Sequence, residues 1–302
     1  LYFSFIHKNK IYSNYKKLHI MKVALCFWGI TRSLKYTIHS INKYILQILK
    51  KHNIEYKIFL HTFKFDTEYK NPRANEVNMK LDFEEYKLLN ADYVDIDDQD
   101  EIKTNIDVFK YRTHDDPWNS EYISVDNFLC AMYSKKQLGY MVENCDETFD
   151  YIVYLRPDMK YHTYFDVKYF SLANKYTICT PNFHLFPKLN DRFCILTTCN
   201  LKQYYLLFDK MYKYSLSYPL HSERFQYHVF VNEYKWSIRY IPFLFNRVRM
   251  NGFELNDINK IDKPKKKNTR KILNTPIKPK DFNKIKPMFK SINKNTINEL
   301  SL

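Results

Sequence analysis

Tyr151-Ile152-Val153-Tyr154-Leu155 is a run of aromatic, β-branched and aliphatic residues, preceded by Asp146, Glu147 and Asp150 and followed by Arg156-Pro157-Asp158. It is short and apolar throughout instead of alternating, which predicts a strand buried on both faces, as in a parallel sheet. Such a strand commits its surroundings to crossover connections and to helices on both faces of the sheet. Pro157 cannot donate a ladder hydrogen bond and restricts Arg156, so the strand should end there. Asp158 then stands just past the carboxyl end of a central strand, the edge at which open α/β sheets bind ligands.

The rest of the chain supplies the expected alternation. Lys22–Gly29 reads as a strand closed by Gly29. Ile30, Leu34, Ile38, Ile41, Ile45, Ile48 and Leu49 then recur at helical spacing, with Thr31 as a candidate cap. Arg32 falls at this strand's carboxyl end. It is either a surface arginine or, beside a helix N-terminus, a contact for an anion such as a diphosphate. Ile54–Phe63 and Ala91–Ile96 read as further strands, with a short helix at Asp82–Leu89 between them and a loop at Asn71-Pro72-Arg73. The acidic run Asp95–Glu101 reads as a solvated turn, with a metal role the lesser alternative, and Lys103–Trp118 as a loop whose Asp115–Asn119 end reads first as an ordered loop anchored by Trp118 and second as a lid or acceptor wall. Ser124–Asn144 is a clear helix, its buried stripe Val125, Phe128, Leu129, Met132, Tyr133, Leu138 and Met141. Beyond Asp158 come short strands at Tyr176–Thr180 and Phe193–Thr198, an amphipathic helix at Asn200–Ser217, and a helix from about Glu223 through Tyr234. A last strand, Trp236–Val248, is interrupted by Pro242 and so expected at an edge or bent.

Composition removes several alternatives. Three glycines in 302 residues leave no glycine-rich phosphate loop of either common kind. The net charge of +15 sits at the ends: thirteen Lys/Arg against three Asp/Glu in residues 259–302, and four Lys with no acid in residues 1–20, leave one net positive charge for residues 21–258. A nucleic-acid reader more often carries its basic residues on the folded face. The six cysteines show no CxxC spacing, so free thiols in a reducing compartment are expected instead of a zinc site. No run approaches the length of a membrane span. Three segments are expected: an N-terminal extension over 1–20 with Met21 a possible start, a folded domain over 21–258, and a disordered Lys/Asn/Pro-rich tail over 259–302 able to contact anionic surfaces. A cytoplasmic location follows as an expectation from the lack of a signal or membrane segment.

Three polar groups adjoin apolar elements: Arg156/Asp158, Asp191/Arg192 and His221/Glu223. Each has an ordinary structural reading, Asp191 as a turn residue and Glu223 as a first-turn helix carboxylate. Together they fit one chemistry. A divalent cation, manganese or magnesium, bridges Asp158 and a nucleotide diphosphate, and Asp191 or Glu223 deprotonates a hydroxyl. His221 would serve as ligand, base or helix-start residue.

The ordered set CFWGITRSLKYTIHSI, NFLCAMYSKKQL, FDYIVYLRPDM, NDRFCI and PLHSERF resembles a group of GT-A-like glycosyltransferases, many known only as domains of unknown function. The match runs from about Met21 to Gly252. It implies a Rossmann-like, mostly parallel sheet and a nucleotide-diphospho-sugar donor. It also implies that Gly29, Arg32, Arg156 and Asp158 lie on the donor side, with Asp158 at the metal-binding DxD position, and Asp191, His221 and Glu223 on the acceptor side. The sequence departs from a full DxD, since Arg156-Pro157-Asp158 supplies one carboxylate, and Arg156 or Lys160 can take over part of the cation's work. Asp191 is the first choice of base, and Asp158→Ala is expected to abolish activity with the fold intact. A non-catalytic glycan- or partner-binding module on the same fold is the alternative.

Overall fold

The computed structural model describes residues 20–260 apart from 65–68, 72, 73, 75 and 187. The expected N-terminal extension, the basic tail beyond 260 and most of the Asn71–Arg73 loop therefore lie outside the described residues.

In chain order the strands are β1 (Lys22–Trp28), β2 (Glu55–Lys64), β3 (Tyr69–Asn71), β4 (Glu76–Met79), β5 (Tyr93–Asp98), β6 (Tyr151–Leu155), β7 (Met159–Tyr161), β8 (Thr177–Pro181), β9 (Phe193–Thr197), β10 (Ser237–Ile241) and β11 (Phe245–Arg247). The α-helices are α1 (Leu34–Ile41), α2 (Gln47–Lys51), α3 (Gln99–Ile106), α4 (Ile123–Asn144), α5 (Leu201–Tyr205), α6 (Leu207–Ser215) and α7 (Ser222–Tyr227). Seven strands form one sheet in the order β10-β8-β9-β6-β1-β2-β5. All neighbours pair in parallel except β9, which is antiparallel to both β6 and β8. The mostly parallel α/β sheet flanked by helices is thus as expected.

Each strand serves both faces. Ala24, Cys26, Trp28, Ile152 and Tyr154 join the core under α4, α5 and α6, while Val23, Leu25, Phe27, Val153 and Leu155 join the core under α1. This is the strand's two-residue period written into a continuous apolar run. Cys26, Cys130, Cys179 and Cys194 are free and buried in these layers; Cys145 is half-buried and Cys199 exposed, also without disulfides. Among the described residues no helix is long and apolar enough to cross a membrane.

Several local expectations are corrected. Thr31 does not cap α1; its carbonyl accepts from Leu34 N–H at 3.2 Å. Residues 95–101 are no turn: they finish β5 and begin α3, whose cap is the Asp98 carboxylate, accepting from Asp100 N at 2.9 Å and Glu101 N at 3.0 Å. Residues 103–106, read as loop, belong to α3. The run 236–248 divides: β10 is the sheet edge, while β11 leaves it and pairs antiparallel with β7. The segment 200–217 breaks into α5 and α6 around Leu206.

Candidate functional site

β6 ends at Leu155, whose register partner is Phe193, the first residue of antiparallel β9. The reversal of β9 brings the Asp191-Arg192 turn to the same edge as Arg156-Pro157-Asp158. Asn190, fully buried, shapes that turn: its amide donates to Phe183 O at 3.0 Å and its Oδ1 accepts from Arg192 N at 3.1 Å. α1 pins the neighbouring loop, with the Thr37 hydroxyl donating to Pro157 O and Ser40 Oγ accepting from Tyr161 N at 3.1 Å. The β7–β11 ribbon then returns the chain, and Val248 N donates to Asp158 O at 2.9 Å, which delivers Arg249 beside the carboxylate.

Asp158 is 2% exposed and fully engaged. Arg156 Nε donates to Oδ1 at 2.8 Å, and Oδ2 accepts from Arg156 Nη2 at 2.5 Å and Arg32 Nη2 at 3.3 Å. Burial alone would raise its pKa, but Arg156 and Arg32 outweigh it and hold the carboxyl below its ordinary value. Arg32 is buried too, paired with Glu76 at 3.3 Å and lying over the Tyr69 ring at 5.2 Å. The expected divalent ion at Asp158 does not fit this arrangement: its oxygens are already claimed by two guanidinium groups, and like charges surround the position an ion would take. Arg32 is a buried ion-pair partner of both Asp158 and Glu76. The anion at α1's N-terminus is Glu85, whose carboxylate accepts from Lys35 N at 2.7 Å.

Asp191, Arg192, His221 and Glu223 do come together. Arg192 Nη1 lies 3.8 Å from Asp191 and Nη2 lies 3.6 Å from Glu223, separations too long for good hydrogen bonds. Arg192 is buried, and its Nε and Nη1 have no hydrogen-bond partner. Burial, then the charge of nearby Arg247, lowers its pKa from the ordinary arginine value. Ser222 Oγ donates to Asp191, and Arg192 and Lys135 add positive charge. Against the effect of burial, these take Asp191 down to about 2. Glu223 goes the other way, pushed up to about 7 by burial and by the Asp191 charge. His221 Nδ1 lies 3.3 Å from Glu223, and its ring sits between Trp118 at 5.0 Å and Phe186 at 4.6 Å. The Asp115–Asn119 segment thus sets Trp118 against the His221 ring.

Gly29 closes β1 with φ +91°, and a side chain there would meet nothing within 4 Å, so open space lies over the end of β1. Its N–H donates to Ser134 Oγ at 3.0 Å.

Sequence reasoning missed Lys135, 1% exposed over the Trp28 ring at 4.4 Å, its Nζ donating to Asp191 O at 3.2 Å and Gln226 Oε1 at 3.1 Å. Burial lowers its pKa to about 8. Its signal was available: position 135 is three residues from both Met132 and Leu138 in the buried stripe of α4. Arg247, clasped by Asp257 at 2.8 and 2.7 Å, was hidden inside an expected strand.

Cations (Arg32, Lys135, Arg156, Arg192, Arg247, Arg249) thus exceed acids (Glu76, Asp158, Asp191, Glu223, Asp257) within this set, and by more when Glu223 is protonated. Such an edge favours a polyanion. Among the described residues, a group that could jointly ligate a metal ion lies elsewhere, at His61, Asp95 and Asp97, whose ligand atoms fall within 4.8 Å of one another.

No family model matches the chain, and no curated protein matches it. Among solved structures it is similar to mouse xyloside xylosyltransferase 1 in its apo form, with 9% identity, 74% of this chain and 84% of that chain covered, and a TM-score of 0.38. It is similar to the apo glycosyltransferase GlyE of Streptococcus pneumoniae, with 11% identity over 73% of this chain and 45% of that one, TM-score 0.37. The galactosyltransferase LgtC, solved with donor and acceptor sugar analogues, gives 11% identity over 70% of each chain, TM-score 0.37. At these values the likeness carries no argument about activity.

Proposed function

We propose that the chain is a glycosyltransferase that moves a sugar from a nucleotide-diphospho-sugar donor to a hydroxyl acceptor, and that it neutralises the leaving diphosphate with guanidinium groups. One observation carries this: Arg192 is buried at the carboxyl edge of the sheet with two N–H-bearing nitrogens lacking hydrogen-bond partners. A buried cation with unmet donors is costly. A phosphate oxygen is the acceptor that meets both demands, since guanidinium groups match phosphate geometry. Arg156 and Arg247, both partly exposed, stand beside it. The sequence resemblance to GT-A-like glycosyltransferases supplies the sugar half of the donor.

In this reading Asp158 organises Arg156 and Arg32 and is not a metal ligand. The separation of Asp191 and Glu223 assigns the acceptor-side roles. A base must be ionisable near the working pH and able to accept a proton there. Glu223, near 7, meets that condition, whereas Asp191, near 2 and hydrogen-bonded by Ser222, serves as fixed negative charge. Glu223 therefore replaces Asp191 as base if the displacement inverts the anomeric carbon. The Trp118–His221–Phe186 stack offers apolar ring faces beside that carboxylate, suited to the C–H faces of a sugar acceptor.

The test is a thermal-shift panel of nucleoside diphosphates and nucleotide sugars in the presence of a chelator. Stabilisation by at least one diphosphate is expected in wild type and lost in Arg192→Lys. If no nucleotide diphosphate stabilises the protein, with or without manganese, the non-catalytic module is the correct reading.

A further inference from the structure

We propose that His61, Asp95 and Asp97 form a binding site for one first-row divalent cation, of the manganese or zinc kind, separate from the arginine-lined edge. His61 on β2 is completely buried and pairs in register with Asp95 on β5, and Asp97, two residues on, faces the same way. β1 separates β2 from β6, so the strand of His61 lies two strand spacings, ~10 Å, from the strand that leads to Asp158.

Ser134 holds the imidazole from the Nδ1 side. Its oxygen accepts from Gly29 N–H at 3.0 Å and donates its single hydrogen to His61 O at 3.1 Å. His61 Nδ1 lies 3.0 Å from that same oxygen. With the Nδ1 hydrogen given to Ser134, the Nε2 lone pair is turned toward an Asp97 oxygen 3.1 Å away, a spacing at which one cation can be bound by both. Metal-ligating histidines are held in this way, the second N–H given to an oxygen that fixes tautomer and ring orientation. The ring is further held edge-on to Phe63 and Tyr133 at 5.0 and 5.7 Å. Asp95 and Asp97 are only half-buried, which leaves room for water to complete the coordination shell. One imidazole with two carboxylates suits manganese, iron, cobalt or zinc better than magnesium, which prefers oxygen ligands alone.

The site does not rest on the transferase reading, and its test uses no nucleotide. Manganese alone is titrated into the full chain, free ion being followed by its electron paramagnetic resonance signal, with zinc as competitor. One equivalent is expected to bind, and Asp95→Asn and Asp97→Asn are each expected to weaken it by about 10-fold or more. Glu223→Gln should leave it unchanged. In the wild-type chain the bound ion should selectively broaden the His61 ring resonances, a measurement that needs no folded variant. Absence of binding, or an equivalent that both variants retain without broadening His61, overturns the site and leaves a simple histidine–aspartate contact.

Discussion

Arg156 takes Asp158, two residues along the chain, in a two-point clasp: Nε to Oδ1 at 2.8 Å and Nη2 to Oδ2 at 2.5 Å. Pro157 between them gives its carbonyl to Thr37 of α1, so the clasp is anchored to the first helix as well as to the central strand. The carboxylate that sequence patterning singles out is thus the counter-charge of an arginine pair.

Asp158→Ala should therefore cost stability as well as activity. It would leave Arg156 and Arg32 without their carboxylate, and breaking a buried pair in this way typically costs about 3–5 kcal/mol. A denaturant midpoint well below wild type is expected. A variant with wild-type stability and no activity would instead return Asp158 to direct donor or metal contact.

Arg192→Lys keeps the charge but loses the planar fork. With diphosphate neutralisation resting on that fork, kcat is expected to fall about 10²-fold, in line with removal of one preorganised transition-state donor. Unchanged turnover on any donor that the wild type accepts would remove Arg192 from the site.

Glu223 gives the pH dependence. As base it must be deprotonated, so kcat/KM should climb as pH rises through about 7 and then level, and Glu223→Gln should abolish that limb. The stability effect has the opposite sign. A carboxyl raised from its unfolded value holds its proton more tightly when folded. Its contribution is therefore full below the unfolded pKa and is lost as pH rises through about 7. Asp191, taken down to about 2, contributes stability above its unfolded pKa and loses it as pH falls toward 2.

Gly139→Ala tests packing away from the site. A Cβ at this position in α4 would collide with the side chain of Tyr205 on α5, so the helices must separate or the ring must move. A loss of about 1–3 kcal/mol is expected despite alanine's better helix propensity. A stabilised variant would mean that α5 has freedom to shift.

What the chain's order of residues determined by itself is the layered architecture. Apolar runs of strand length alternate with 3.6-period stripes, and such patterns admit little besides a buried, mostly parallel sheet between helices. The place of Asp158 at a strand end follows from Pro157 by local covalent geometry. Tertiary structure decided the charges. Whether Asp158 faces a metal ion or two arginines depends on Arg32, distant in sequence, and on Arg156. Whether Asp191 or Glu223 is the better base depends on Ser222, Lys135 and Arg192 arriving from separate elements. The antiparallel β9, which brings Arg192 to the arginine edge, has the same local pattern as a parallel strand. Hydrophobic patterning acts over a few residues and is written locally. Electrostatic character acts through space, and is set only when the chain closes on itself.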